Sequence, residues 1–197
     1  MKRLLAVLFL LLAAIPLFAQ SNAISLSLLR PQFQGAGATL DGERVGIDFG
    51  SSLDFGIGYT HRWTEWSLTL DARRFDVSGS AALPDGITNI GTFNVRPVAA
   101  IVHYQRGRIF AGAGVAAVFT GDLHSNDLDA AGIGNVSMGD DFTYVIDAGI
   151  ELPLRGAFGV AIEGRYMPVS VDATAQSQRA TVTFDALTLG ASLRWKF

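Results

Sequence analysis

The chain has 197 residues, 49% of them hydrophobic and only 17% charged, with 15 Lys and Arg against 18 Asp and Glu. A formal net charge of −3 argues against a nucleic-acid partner, and the lack of any cysteine excludes disulfides and thiolate metal sites. With 22 glycines and no long apolar run beyond the N-terminus, the hydrophobicity is dispersed, about one residue in two.

At the N-terminus Lys2 and Arg3 precede an apolar run from Leu4 to Phe18 that closes on Ala19. This is the layout of a secretory signal peptide, expected over residues 1–20 with cleavage near Ala19 or Gln20. Its apolar core falls short of the roughly 20 residues a spanning helix needs. Removing it takes two cations from the 15, leaving 13 against 18 acidic residues and a net charge of −5.

The mature part, residues 21–197, reads as strands with one apolar and one polar face. A first strand is predicted over 23–33, carrying Ile24, Leu26 and Leu28 on one parity. A second is predicted to place Val45, Ile47, Phe49, Leu53, Phe55, Ile57 and Tyr59 on one face, with Gly46, Asp48, Ser52, Asp54, Gly56 and Gly58 on the other. Trp66, Leu68, Leu70 and Ala72 then alternate with Ser67, Thr69, Asp71 and Arg73 to complete a hairpin. A fourth strand, 92–104, carries Val98, Ala100, Val102 and Tyr104, although Pro97 would demote it in a soluble sheet. Ile109–Phe119, Phe142–Leu152 and Phe158–Tyr166 repeat the pattern, and the eighth strand runs through Leu187, Leu189, Ala191, Leu193 and Trp195 to Phe197.

Alternation dispersed over eight strands predicts an all-β fold, an eight-stranded antiparallel transmembrane β-barrel of the outer-membrane type. In lipid every backbone group must be paired internally, and alternate side chains face lipid and lumen. Tight turns are expected near 62–65, 105–107 and 153–156, and longer loops near 34–44, 75–91, 120–141 and 169–180. Short periplasmic turns and long external loops are the habit of such barrels, which places both mature termini in the periplasm of a bacterial outer membrane. An exported lipocalin is the alternative. Its exterior would carry many Lys and Glu, whereas the polar parity here is rich in Gly, Ser, Thr and Asp, small enough for a narrow lumen.

The last strand, with Thr188, Gly190, Leu193, Trp195 and Phe197, resembles the C-terminal assembly signal of outer-membrane barrels and implies the barrel-assembly machinery as a partner. The segment NVRPVAAIVHYQRGRIFAGAG resembles the OmpW family of small outer-membrane proteins through Arg108, Gly112, Ala113, Gly114 and Val115, with Phe110 or its neighbour replacing the family's proline. GRYMPVSVDAT and FDALTLGASLRWKF are similar to that family's seventh and final strands. The resemblance implies a narrow, partly hydrophobic channel that passes small apolar molecules, with a sideways exit into the membrane.

On the inward parity the pattern collects Asp48, Asp54, Arg62, Asp71, Arg73, His103, Arg108, Asp147, Glu151, Glu163, Arg165, Arg194 and Lys196. Charges in so narrow a lumen must find partners, so an ion-pair network bracing the wall is expected over a charge-selective pore. Phe110, Val118, Val145, Met167 and Ile101 are the candidate apolar lane, and Gly112 and Gly114 are expected to leave space beside it. His103 also faces the lumen, beside apolar neighbours. Catalysis would need a His held by a carboxylate beside a nucleophile; His61 falls on the lipid parity and His124 in a loop without matching spacing, so no enzyme is expected. The loop with Asp122, Asp127, Asp129, Asp140 and Asp141 lacks the ligand alternation of an EF-hand and is read as solvated, with no metal and no cofactor. Tyr59, Trp63, Trp66, Tyr104, Tyr144, Tyr166, Trp195 and Phe197 are expected at the lipid–headgroup border.

The sequence therefore points to a monomeric barrel surrounded by outer-membrane lipid and lipopolysaccharide, with a small hydrophobic permeant as its cargo. A structural or adhesive barrel with a plugged lumen is the alternative. The two differ in whether the inward apolar residues gather at one level or are scattered among charges.

Overall fold

The computed structural model describes residues 21–40, 43–83, 86–126, 136–175 and 178–197. Residues 1–20, read above as the leader, lie outside the described residues. The strands are β1 (Ser21–Leu40), β2 (Glu43–Gly46), β3 (Asp48–Ser51), β4 (Asp54–Trp63), β5 (Trp66–Leu83), β6 (Gly86–Arg106), β7 (Ile109–Thr120), β8 (Ser137–Met138), β9 (Asp141–Pro153), β10 (Phe158–Ala175) and β11 (Gln178–Lys196). They form one antiparallel sheet closed into a ring of eight strands, with β2 and β3 continuing the line of β4, and β8 that of β9. Pairing of β1 with β11 shuts the ring, and Phe197 extends that seam by exchanging two backbone hydrogen bonds with Asn22, at 2.9 and 3.0 Å.

The three tight connections follow Trp63, Arg106 and Pro153, where Thr64, Gly107 and Gly156 adopt positive φ. At the opposite end most of the stretches expected to be loops are paired strand. The β5–β6 ladder runs to Leu83 and Gly86, β10–β11 to Ala175 and Gln178, and β1–β2 to Leu40 and Glu43. Strands of 18–21 residues far exceed the 9–11 needed to cross a bilayer. The wall therefore continues beyond the apolar belt.

The sequence hid this extension because the apolar parity inverts along the longest strands. On β5, Trp66 and Leu68 face outward, then Phe75, Val77 and Ala81 are buried inside. On β11, Val182, Phe184 and Ala186 are buried inside, then Leu189, Leu193 and Trp195 are exposed outside. The lower part is apolar outside and polar inside, the arrangement a lipid surround favours; the upper part is polar outside and apolar inside, the arrangement water favours.

Two readings of the second strand are corrected. Ile47 and Phe49 face the interior, and Asp48 is exposed on the outside. The register against β5 moves by one residue between Ser51–Val77 and Phe55–Arg74, a bulge at Ser52–Leu53, and a one-residue shift flips every side chain beyond it. Ser52 stitches the bulge to β5 through bonds to the Asp76 backbone of 3.0 and 2.8 Å.

Candidate functional site: a tiered lumen

The interior is stacked in three tiers. At the end away from the tight turns an apolar cavity of ≈ 340 Å³ opens among Val45, Ile47, Ile90, Leu123, Val136 and Val182. Leu123 and Val136, which follow β7 and precede β8, are joined by a backbone bond of 2.9 Å, and His124 bridges to Thr92. Gly91 makes that bridge possible: its φ of 125° suits glycine, and a Cβ there would strike the backbone of His124.

Below the mouth stands a ring of phenylalanines. Phe184 lies 5.4 Å from Phe33, 5.5 Å from Phe49 and 6.4 Å from Phe93 between ring centroids, and Phe33 lies 6.1 Å from Phe75. Edge-on contacts dominate, the geometry aromatic quadrupoles favour. The same buried apolar cluster takes in Ile101, Ala116, Val118, Val145, Met167 and Ala186, and so includes four of the five apolar-lane candidates, Val118, Val145, Met167 and Ile101. The phenylalanine ring went unread because Phe33, Phe75, Phe93 and Phe184 fall out of phase with the lipid-facing residues of their strands; that inversion is the signal that could have found them.

The lowest tier is ionic. Arg73 donates to Asp71 at 2.9 Å, Asp54 at 3.4 Å and Glu163 at 3.2 Å. Arg165 bridges Asp71 at 2.7 Å and Asp147 at 3.1 Å, and His103 Nε2 lies 2.6 Å from Asp147. Arg194 joins Glu163 at 3.2 Å to Glu151 at 3.1 Å, and Glu151 also meets Arg62 at 3.7 Å and Lys196. Five carboxylates face five permanent cations in one connected network, most of it buried. Such a network holds the wall together and leaves little room, since only a ≈ 10 Å³ void separates Arg73 and Arg165 from Phe75 and Met167.

Several sequence-derived placements change. Asp48 stands outside this network, beyond the bulge, and Arg108 is exposed in the β6–β7 turn. Phe110 belongs to the ionic tier, where the Arg194 guanidinium lies 4.7 Å from its ring centroid. His103 has polar neighbours, Asp147 and the Thr69 hydroxyl at 3.3 Å, beside Phe110 at 5.6 Å. Gly112 and Gly114 face inward without leaving open space. A Cβ at Gly112 would meet the His103 ring, and one at Gly114 the backbone of Ala100 and Ile101. Gly190 is held equally close to the backbone of Leu28 and Leu29, while Leu193, Trp195 and Phe197 face outward at the tight-turn end.

Two further features complete the geometry. Between Leu29–Asp54 and Gly37–Gly46 the β1 ladder with β4 and β2 is interrupted opposite β3, bridged by a bond from Ile47 N to Ala36 O of 3.3 Å and one from the Ser51 hydroxyl to Pro31 O of 2.8 Å. Aromatics cluster outside the tight-turn end: Trp66 on Tyr104 at 5.1 Å, Trp195 on Phe197 at 5.4 Å, and His61 against Trp63 at 4.7 Å. Tyr59 joins them by donating to Asn22, and Tyr144 and Tyr166 pair higher up at 6.2 Å. Of the loop carboxylates, Asp140 and Asp141 accept backbone N–H bonds from Thr120 and Ser170, and Asp127 and Asp129 lie outside the described residues.

Among solved structures the chain is similar to the outer-membrane protein AlkL, determined by solid-state NMR in DMPC bilayers, at a TM-score of 0.59 and 18% identity over 91% of this chain and 92% of that one. It is also similar to Neisserial surface protein A, at 0.51 and 12% identity over 89% and 97%. No protein-family model and no curated protein matches the sequence. The fold is that of the small outer-membrane β-barrel proteins.

Proposed function

We propose that this chain is a non-enzymatic, OmpW-like barrel of the bacterial outer membrane that lets small apolar molecules pass without energy input. In this reading residues 1–20 are removed, the assembly machinery recognises the last strand, and the monomer stands with its tight turns and both mature ends in the periplasm. The observation that carries it is the apolar mouth cavity resting on a phenylalanine ring, with the ionic residues confined below. Moving an apolar solute from water into such a cavity is favourable by about 2.5 kcal/mol per 100 Å² of surface buried.

Straight passage onward would require parting buried ion pairs, and stranding one such charge costs about 3–5 kcal/mol. The interrupted ladder between β1 and β3 lies beside Phe33 and Phe49, above the ionic tier, and supports an exit sideways through the wall at the outer border of the apolar belt. Polar solutes gain nothing from the cavity and meet the same floor.

Liposome flux through the purified, folded protein tests this. An apolar aromatic solute should enter protein-containing vesicles at least tenfold faster than a sugar of similar size, and Phe184→Ala should raise apolar flux further. Equal rates for the two solutes would overturn the reading. No flux of either through a folded barrel would favour the plugged structural or adhesive alternative, for which the ion-pair floor is the observation.

A further inference from the structure

We propose that the outer surface of β5 and β6 carries a binding site for a phosphate of a phosphorylated glycolipid of the lipid A type, held between Arg74 and Arg96. The proposal rests on the outer-membrane orientation given above. Ladder pairs Ala72–Val98 and Phe75–Val95 share one register, which places Arg74 directly across from Arg96. Both side chains are exposed on the outside of the barrel. Like charges directly opposed on adjacent strands repel and are destabilising unless an anion lies between them. Among the described residues neither arginine forms an ion pair or side-chain hydrogen bond, and Asp76, two residues along β5, pairs with neither.

The position selects a lipid headgroup. Below the pair the outward residues are Ala72, Leu70, Leu68 and Trp66 on β5, and Val98, Ala100, Val102 and Tyr104 on β6; above it they are Asp76 and Ser78, and Asn94 and Thr92. From Trp66 to Arg74 the tilted strand climbs about 20 Å, close to the ~25 Å height of an apolar belt. The arginines therefore stand where acyl chains give way to headgroups, at the edge away from the tight turns. A groove of ≈ 410 Å³ runs between them and Val98 and Phe119, offering an apolar wall for an acyl chain beneath a bidentate phosphate clamp.

A second phosphate has a candidate partner. Arg30 is also exposed and without an ion pair, on β1, two strands from Arg74 and therefore about 10 Å away along the hydrogen-bonding direction, the scale of a disaccharide. The acids at the same border on the far side are engaged within the protein: Asp140 by the Thr120 N–H, Asp172 by the Thr181 hydroxyl and Asp185 by Tyr166. Among the described residues the side with Arg74, Arg96 and Arg30 thus presents three cations without an ion pair beside the single Asp76 carboxylate, and the other side presents committed anions.

Native mass spectrometry of the folded barrel in zwitterionic detergent, titrated with bisphosphorylated lipid A, phosphate-free lipid A or phosphatidylglycerol, provides the test. Wild type should retain the bisphosphorylated form at least tenfold more strongly than either other lipid. Arg74→Gln with Arg96→Gln should lose that preference, and Arg155→Gln, in the turn at the other end, should keep it. Folding is checked by the heat-dependent gel shift; should the double variant not fold, each single variant should lose at least threefold. Undiminished retention by a folded variant, or equal retention of phosphate-free lipid A or phosphatidylglycerol, overturns the site and leaves the proposed channel standing. Labelling of an Arg155→Cys variant from outside intact cells by an impermeant maleimide would instead overturn the orientation, and both readings with it.

Discussion

Replacing Arg73 by methionine should be among the costliest single changes in this barrel, and the connectivity of the ionic tier says why. Arg73 serves three carboxylates, but they do not depend on it equally. Asp71 keeps Arg165 and Glu163 keeps Arg194, whereas Asp54, 1% exposed, has no other ion-pair partner among the described residues. Arg73→Met therefore strands one buried charge, at about 3–5 kcal/mol. Arg194→Met strands none, because Glu151 retains Arg62 and Lys196 and Glu163 retains Arg73. Its cost should be about 1–2 kcal/mol, including the cation–π contact with Phe110. Adding Asp54→Asn to Arg73→Met should recover about 2 kcal/mol, a coupling only contacting residues show. Reversible urea titration of the barrel folding into lipid vesicles, followed through Trp63, Trp66 and Trp195, measures all three. Equal losses for the two arginine variants, or strict additivity in the double variant, would refute the argument.

Two other outcomes follow from the belt and the wall. Ile162, exposed on the outside midway along the apolar stretch of β10, should cost about 2–4 kcal/mol when changed to lysine, while Ser170→Lys, outward on the same strand above the belt, should cost at most about 1 kcal/mol. The same vesicle titration compares them, and equal costs would mean that the belt has been placed at the wrong height. Gly114→Ala should sharply reduce the fraction of protein that folds, since its Cβ would press on the Ala100–Ile101 backbone, whereas Gly46→Ala meets nothing within 4 Å and should fold as wild type. The heat-dependent gel shift reports both, and a fully folded Gly114→Ala protein would show that β6 and β7 can separate locally.

Much of this architecture was legible in one dimension. Alternation in Trp66–Arg73, Ile109–Phe119 and Leu187–Phe197 marks strands wherever the chain lies, because side chains on a strand alternate faces whatever surrounds them. Residues such as Asp71, Arg165 and Asp147 could be assigned to the inward parity on the same ground. Alternation alone does not say which medium lies on each side. Phe75, Val77, Val182 and Phe184 obey it in the opposite phase, so a rule tuned to lipid outside turns paired strand into loop.

What the sequence by itself determined was the closed all-β fold and the side of the wall on which most residues stand. Tertiary structure alone decided who meets whom. Arg73 finds Glu163 and Arg165 finds Asp71 across sequence separations of 90 and 94 residues, because the stagger at which the ring closes sets their heights. One extra residue at Ser52–Leu53 moved Asp48 out of the lumen and brought Phe49 in. It did so because a side-chain period of two converts a single-residue slip into a change of side, and nothing in a local pattern records where such a slip occurs.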